Sequence, residues 1–196
     1  MSKIQVTENG TRKQAIIQQA AGLFRQKGFA GSSMRELAER IGVEAPSLYN
    51  HIGSKNELLE NICFSVANQF MAQLERIEAD GFSAIQQLEQ VLRFHIHMMV
   101  HAYDEVFVAN HEWKQLKQPF LSDFLQQRKN YEQRLITMVQ AGIAQGLIKP
   151  VQPQIAVLTI LSAVRGLEFW QGQKNSIHWD ELENNMVDHL LNGLVQ

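Results

Sequence analysis

Cysteine is almost missing from this 196-residue chain, where Cys63 stands alone. No disulfide can form within the chain, and a single thiol suits a reducing compartment. Proline is scarce too: Pro46, Pro119, Pro150 and Pro153 are the four, and each falls at a helix boundary. No apolar run approaches the thickness of a bilayer. The longest, Ile155 to Val164, covers ten residues and carries Thr159 and Ser162. The segment Met1 to Arg12 is polar and has no apolar signal core, so a cytoplasmic chain is expected rather than a secreted or membrane one. Charge of one sign is lacking as well. The net charge is −2, which excludes a global basic field. What is present is a 45% apolar content, enough for a packed core and against wholesale disorder. The length suits one generous domain or two small ones sharing a core.

Charge by segment says more than the total. Residues 1–60 hold eight Lys/Arg and six Glu, a net +2; residues 61–196 hold ten Lys/Arg and fourteen Asp/Glu, a net −4. A mildly basic head on an acidic body points that head toward a polyanion.

Helical periodicity runs nearly throughout. From Thr11, the residues Ile16, Ala20, Leu23 and Phe24 share one face, and Gly28 ends that helix. Ser33 and Glu36 have capping-box spacing and open a short helix with Met34, Leu37, Ala38 and Ile41 inward, closed by Gly42. A third short helix has Pro46 in its first turn and Leu48 and Ile52 on its buried side, and Gly53 stops it. Ser54 and Glu57 repeat the cap spacing and open a long helix striped by Leu59, Ile62, Cys63, Val66, Phe70, Leu74 and Ile77. Further helices are expected over about 84–102, from a cap at Asp104 to about Leu116, over Leu121 to Ala144, over Ile155 to about Gln171, and over Asp180 to Leu191, with a loop at Gly172 to Ser176. No strand alternation, repeat or low-complexity tract emerges. The pattern predicts an all-α chain of about nine helices.

Two short helices joined by a glycine-containing turn describe a helix-turn-helix. With Leu48 and Ile52 inward, Pro46 and Asn50 point away, flanked by Ser47 and Tyr49. In a major groove Asn50 can pair with adenine, and Ala45 or Pro46 can touch a thymine methyl. The Tyr49 hydroxyl can meet a phosphate. Lys55, in the first turn of the fourth helix, joins a point charge to free backbone N–H groups, a phosphate site in prospect. Arg35 can reach a base edge or the backbone. Spacing alone also fits a protein-interaction or purely structural element.

The string Gly28-Phe29, Ser32 to Ala38, Ile41-Gly42-Val43 and Ser47 to Leu59 decides between these. It resembles the TetR family of bacterial transcription regulators over about 50 residues. The Leu48-Tyr49 pair and the Ser54-Lys55-Asn56-Glu57-Leu58-Leu59 close carry the likeness. Glu44 stands where the family commonly has Ser, and Ile52 where Phe is more usual. The resemblance implies that Ser33, Arg35, Ser47, Tyr49, Asn50, His51 and Lys55 face DNA. It also implies a head over 1–54 and a ligand-binding and dimerising body over 55–196.

The body is less explicit. His95, His97, His101 and His111 crowd one stretch, and His97 and His101 are spaced i, i+4 on one helix face. Such a pair can ligate zinc, which leaves a metal-dependent helical hydrolase as an alternative. The Glu expected between the pair is missing, and a third ligand is unassigned. Otherwise they line a cavity or a solvated face. Trp113, Phe120, Phe124, Tyr131, Phe169 and Trp170 are core or pocket lining. The stretch from Phe94 to Tyr131 is similar to family members that govern fatty-acid, steroid or aromatic-acid catabolism, which tend to bind acyl-CoA. Arg165 on its apolar helix suits a thioester's phosphates or a carboxylate, or else a salt bridge across an interface. A pocket of His97, His101, Trp113, Tyr131, Arg165 and Phe169 fits an acyl-CoA-like or a multidrug-type effector. Leu158, Leu161, Val164, Val187, Leu190 and Leu191 cover more than one face of the last helices and suit a homodimer on a palindromic operator. A non-enzymatic, ligand-responsive repressor with no cofactor or resident metal is the expectation.

Overall fold

The computed structural model describes residues 9–173 and 178–194. The start of the head over 1–8 lies outside the described residues, as does most of the expected loop at Gly172 to Ser176. Nine α-helices occur among the described residues, and no strand. They are α1 (Asn9–Lys27), α2 (Met34–Ile41), α3 (Ala45–Tyr49), α4 (Lys55–Ala79), α5 (Ala84–His101), α6 (Tyr103–His111), α7 (Phe120–Ala144), α8 (Pro153–Arg165) and α9 (Trp179–Asn192). Short 3-10 segments follow α6 (Trp113–Gln115) and α8 (Gly166–Gln173). None of the helices described is long and apolar enough to cross a membrane.

The chain clusters into two compact units, Met1–Ala67 with Asp104–Phe124, and Asn68–Tyr103 with Leu125–Gln196. In the first unit the expected faces close on one another. Ile16, Ala20, Leu23 and Phe24 of α1 are buried, as are Leu37, Ala38, Leu48, Ile52, Leu58, Leu59, Ile62 and Cys63. Met34 and Ile41, also read as inward, are only half-buried. The Ser33–Glu36 capping box forms in both directions. Gly42 follows α2 at φ 74°, a left-handed cap that a side chain would strain. Asp104 does not cap α6. The helix begins one residue earlier, and the Asp104 carboxylate instead pairs with Arg25 of α1.

In the second unit α5 packs against α8 and α9. Arg93 of α5 ties this contact, reaching Glu89 on its own helix and Glu183 and Asn184 on α9. Arg134 of α7 holds Glu78 of α4. The N-terminus of α5 carries a second capping box, Ser83 with Gln86. The α-helix expected to Gln171 stops at Arg165, and Gly166, poor in helix propensity, begins the tighter 3-10 run.

Gly142 of α7 is required by close approach. A Cβ there would overlap the Ile148 side chain and come within 3.1 Å of Ala84 Cβ. Gly166 meets nothing within 4 Å, and its φ of −55° suits any residue. Gly142→Ala is therefore expected to destabilise by about 1–3 kcal/mol despite the better helix propensity. Gly166→Ala should be neutral or stabilising by about 0.5 kcal/mol. Urea unfolding of the two variants side by side checks the contrast.

Candidate nucleic-acid interface and effector site

The helix-turn-helix is held by backbone geometry before any DNA is considered. Val43 donates its N–H to the Ala38 carbonyl at 3.0 Å, which turns the chain sharply out of α2. Glu44 caps α3 without a side-chain bond; its carbonyl accepts from Ser47 and Leu48 at 3.0 and 3.3 Å. Leu48 and Ile52, each 1% exposed, anchor the turn from inside. Pro46, Tyr49 and Asn50 are exposed, while Ala45, Ser47 and His51 are half-buried. Tyr49 is 50% exposed, a large ring left in water on a five-residue helix. Asn50 sits at the C-cap of α3, at the end opposite the first turn.

The charged residues divide by what they already touch. Arg35 projects into solvent and, among the described residues, pairs with Glu39 one turn on, at 3.1 Å. Ser33 is committed to its cap, accepting from the Glu36 N–H. Lys27 and then Ser33 hold the Glu36 carboxyl below its ordinary range. Lys55 differs most from its sequence reading. Its ammonium donates to the carbonyls of Phe29 and Ser32, both at 2.8 Å, and lies 4.4 Å from the centre of the Phe29 ring. Two of its three donors are thus spent inside the unit. Sequence reasoning weighed a phosphate contact for Lys55 and missed this internal role.

The six effector candidates are drawn from both units. Trp113 belongs to the first unit, the other five to the second. His97 and His101 are exposed, their rings 4.3 Å apart. No set of three or more His, Cys, Asp or Glu side chains able to hold a metal occurs among the described residues. Arg165 is exposed, and Phe169 is 80% exposed. The residue the candidate set left out is His95. Its Nε2 lies 2.9 Å from the Tyr131 hydroxyl, and its ring stacks on Phe70 at 4.4 Å. Burial, then the charge of Arg165, push the His95 pKa down to about 3, and burial pushes the Tyr131 phenol up. A fourth histidine in a crowded run gave no sign that it alone faces inward; its place three residues from Leu92 and one from Ile96 did.

Of the six interface candidates, Leu161, Val164, Val187 and Leu191 are buried within the second unit and Leu190 is half-buried. Leu158 is 57% exposed, beside Ile155 at 62%. Trp170, at 45%, joins Phe169 on the following 3-10 segment.

The family of bacterial regulatory proteins called tetR matches residues 16–62, and the family of tetracyclin repressor-like C-terminal domains matches residues 81–194. The chain belongs to the TetR family. It is a TetR-type transcriptional regulator. It is 22% identical to the transcriptional repressor KstR2 of Mycolicibacterium smegmatis over 145 residues, 74% of this chain and 71% of that one. The structure of KstR2 of Mycobacterium tuberculosis, described as a ketosteroid transcriptional regulator, superposes with a TM-score of 0.89 at 18% identity, covering 98% of this chain and 97% of that one. At that identity the likeness is one of fold. AibR in complex with isovaleryl coenzyme A and operator DNA superposes with a TM-score of 0.80 at 27% identity, covering 92% of this chain and 98% of that one.

Two outcomes follow for this TetR-family chain. Lys55→Met should destabilise by about 2 kcal/mol, because two carbonyls lose a charged donor, whereas Arg35→Ala should stay within about 0.5 kcal/mol. Thermal melts of both variants test this. His95 stays neutral when folded and takes a proton when unfolded. Its contribution is therefore intact above pH 6.5 and is lost as the pH falls toward about 3. His95→Leu should flatten the acid limb of stability against pH, followed by urea unfolding between pH 7 and 4.

Proposed function

We propose that this protein is a homodimeric repressor whose residues 1–54 read a palindromic operator and whose residues 55–196 bind an acyl-CoA-like effector that releases it. The observation that carries this is the likeness to AibR, solved with isovaleryl coenzyme A and operator DNA together, over nearly the whole chain.

The residues support each part. Tyr49 and Asn50, with Pro46 and the outer edge of Ser47, give α3 an exposed polar surface for a major groove. Arg35 adds a solvent-facing cation, and the third donor of Lys55 is left for a phosphate. Ile155, Leu158, Phe169 and Trp170 leave the second unit with apolar surface that a second copy would bury. Arg165 ends α8 with a fixed cation, suited to the phosphates or thioester region of a coenzyme A ester. Release needs an effector that prefers the DNA-incompetent state, and a coupling of about 1–3 kcal/mol is ordinary for this. α4 is one continuous helix with residues in both units, which gives the coupling a covalent path.

The test is a titration of short, long and aromatic acyl-CoAs into the preformed complex of protein and its own upstream DNA. Acyl-CoA should dissociate it, and Arg165→Ala should raise the concentration needed at least about tenfold. Release by neutral hydrophobic compounds alone replaces the acyl-CoA reading with a multidrug-type one. Light scattering should give about twice 22.4 kDa. Leu158→Arg should give monomer and lose operator binding with it, and a monomeric wild type sinks the dimer.

A further inference from the structure

Hydrogen-bond arithmetic at His95 and Tyr131 leaves a remainder. A neutral imidazole has one N–H and one acceptor nitrogen, and a phenol has one O–H. The contact of Nε2 with the Tyr131 hydroxyl, at 2.9 Å, uses one hydrogen. If tyrosine donates, the hydrogen on His95 Nδ1 is unspent. If histidine donates, the Tyr131 hydroxyl hydrogen is unspent. Nδ1 has no hydrogen-bond partner among the described residues. In either tautomer the pair therefore keeps one donor in hand.

That donor sits in an aromatic enclosure. Phe70 stacks on His95, meets Tyr131 edge-on at 5.9 Å, and meets Phe94 edge-on at 5.5 Å. Phe70, Phe94, His95 and Tyr131 all keep a partly accessible surface. They come from three helices, Phe70 from α4, Phe94 and His95 from α5 and Tyr131 from α7, and burial is the leading cause of both pKa shifts in the pair. A donor left unspent among aromatic rings costs free energy until an acceptor meets it.

We infer that His95 and Tyr131 are the polar readers of the effector, binding a carbonyl oxygen on an otherwise apolar skeleton inside the second unit. This rests on the reading that the body binds a small-molecule effector, and it adds which atom is read. The oxygen can be a thioester carbonyl or a ketone on the skeleton. A hydrocarbon of the same shape would leave the donor unpaired and bind more weakly. Arg165, whose positive charge is felt at His95, favours the partial negative charge of such an oxygen.

The experiment uses two matched probe pairs by calorimetry on the full chain. Octanoyl-CoA is set against S-octyl-CoA, which has a methylene where the thioester carbonyl stands. The ring ketone 2-decalone is set against decalin. Wild type should favour the carbonyl member of at least one pair by about tenfold, and the pair that responds names the source of the oxygen. Tyr131→Phe should reduce that preference to less than about twofold. Infrared spectroscopy of the bound, carbonyl-labelled probe gives a second readout on wild type alone. The carbonyl band should move to lower frequency than in an apolar solvent. Preference for neither carbonyl, or preference that survives Tyr131→Phe with an unmoved band, overturns the inference and leaves acyl-CoA binding standing. A ketone preference without any binding of either coenzyme A compound overturns the acyl-CoA reading and leaves this one. Binding of none of the four overturns both.

Discussion

The carbonyls of Phe29 and Ser32 belong to a turn, with no helix of their own to satisfy them, and the Lys55 ammonium answers both. The turn links α1 to α2, and Lys55 opens α4, so one side chain fixes the entry of the reading motif against the helix that leaves it. The Phe29 ring under the ammonium and against Phe24 adds an apolar seat for the same charge. Ser32, 5% exposed, also donates its hydroxyl to the Phe29 carbonyl at 2.8 Å. A short helix such as α3 has too few internal hydrogen bonds to define its own direction. Its aim is set by Leu48 and Ile52 below and by this turn beside it.

That constraint explains why the motif was legible in the sequence and its roles only partly so. Gly42, the Ser33–Glu36 box, and Leu48 with Ile52 are local signals, each with a fixed physical meaning, and α2 and α3 formed where they indicated. Lys55 was legible as a charge at a helix start. Its partners lie 23 and 26 residues away, and no local pattern reports a contact of that span. Asp104 shows the same limit. Its residue type and place suit a cap, but Arg25, 79 residues earlier, claims the carboxylate.

The body was legible as helices and much less as a surface. A helix apolar on several sides must bury them all, and that rule found α8 and α9. It could not divide the apolar positions between the protomer's own core and a partner. The structure gives Leu161, Val164, Val187 and Leu191 to the core and leaves Ile155 and Leu158 outside, one turn apart on α8. Helix ends depended on glycine in the same way: Gly166 was read through, since one glycine inside an apolar run is a weak breaker, and the chain tightened there.

The histidines separate two kinds of polar residue that sequence alone treats alike. His97 and His101 are exposed. His95 is held neutral by its surroundings and hydrogen-bonded to a phenol that is itself kept from ionising. Burial favours the neutral form of both members, so the pair presents hydrogen-bonding capacity without a net charge. Arg165, the last residue of α8, carries its charge on an exposed side chain. The second unit thus keeps this cation in solvent and its neutral donor among aromatic rings. The desolvation cost of an ion then does not fall on the apolar interior.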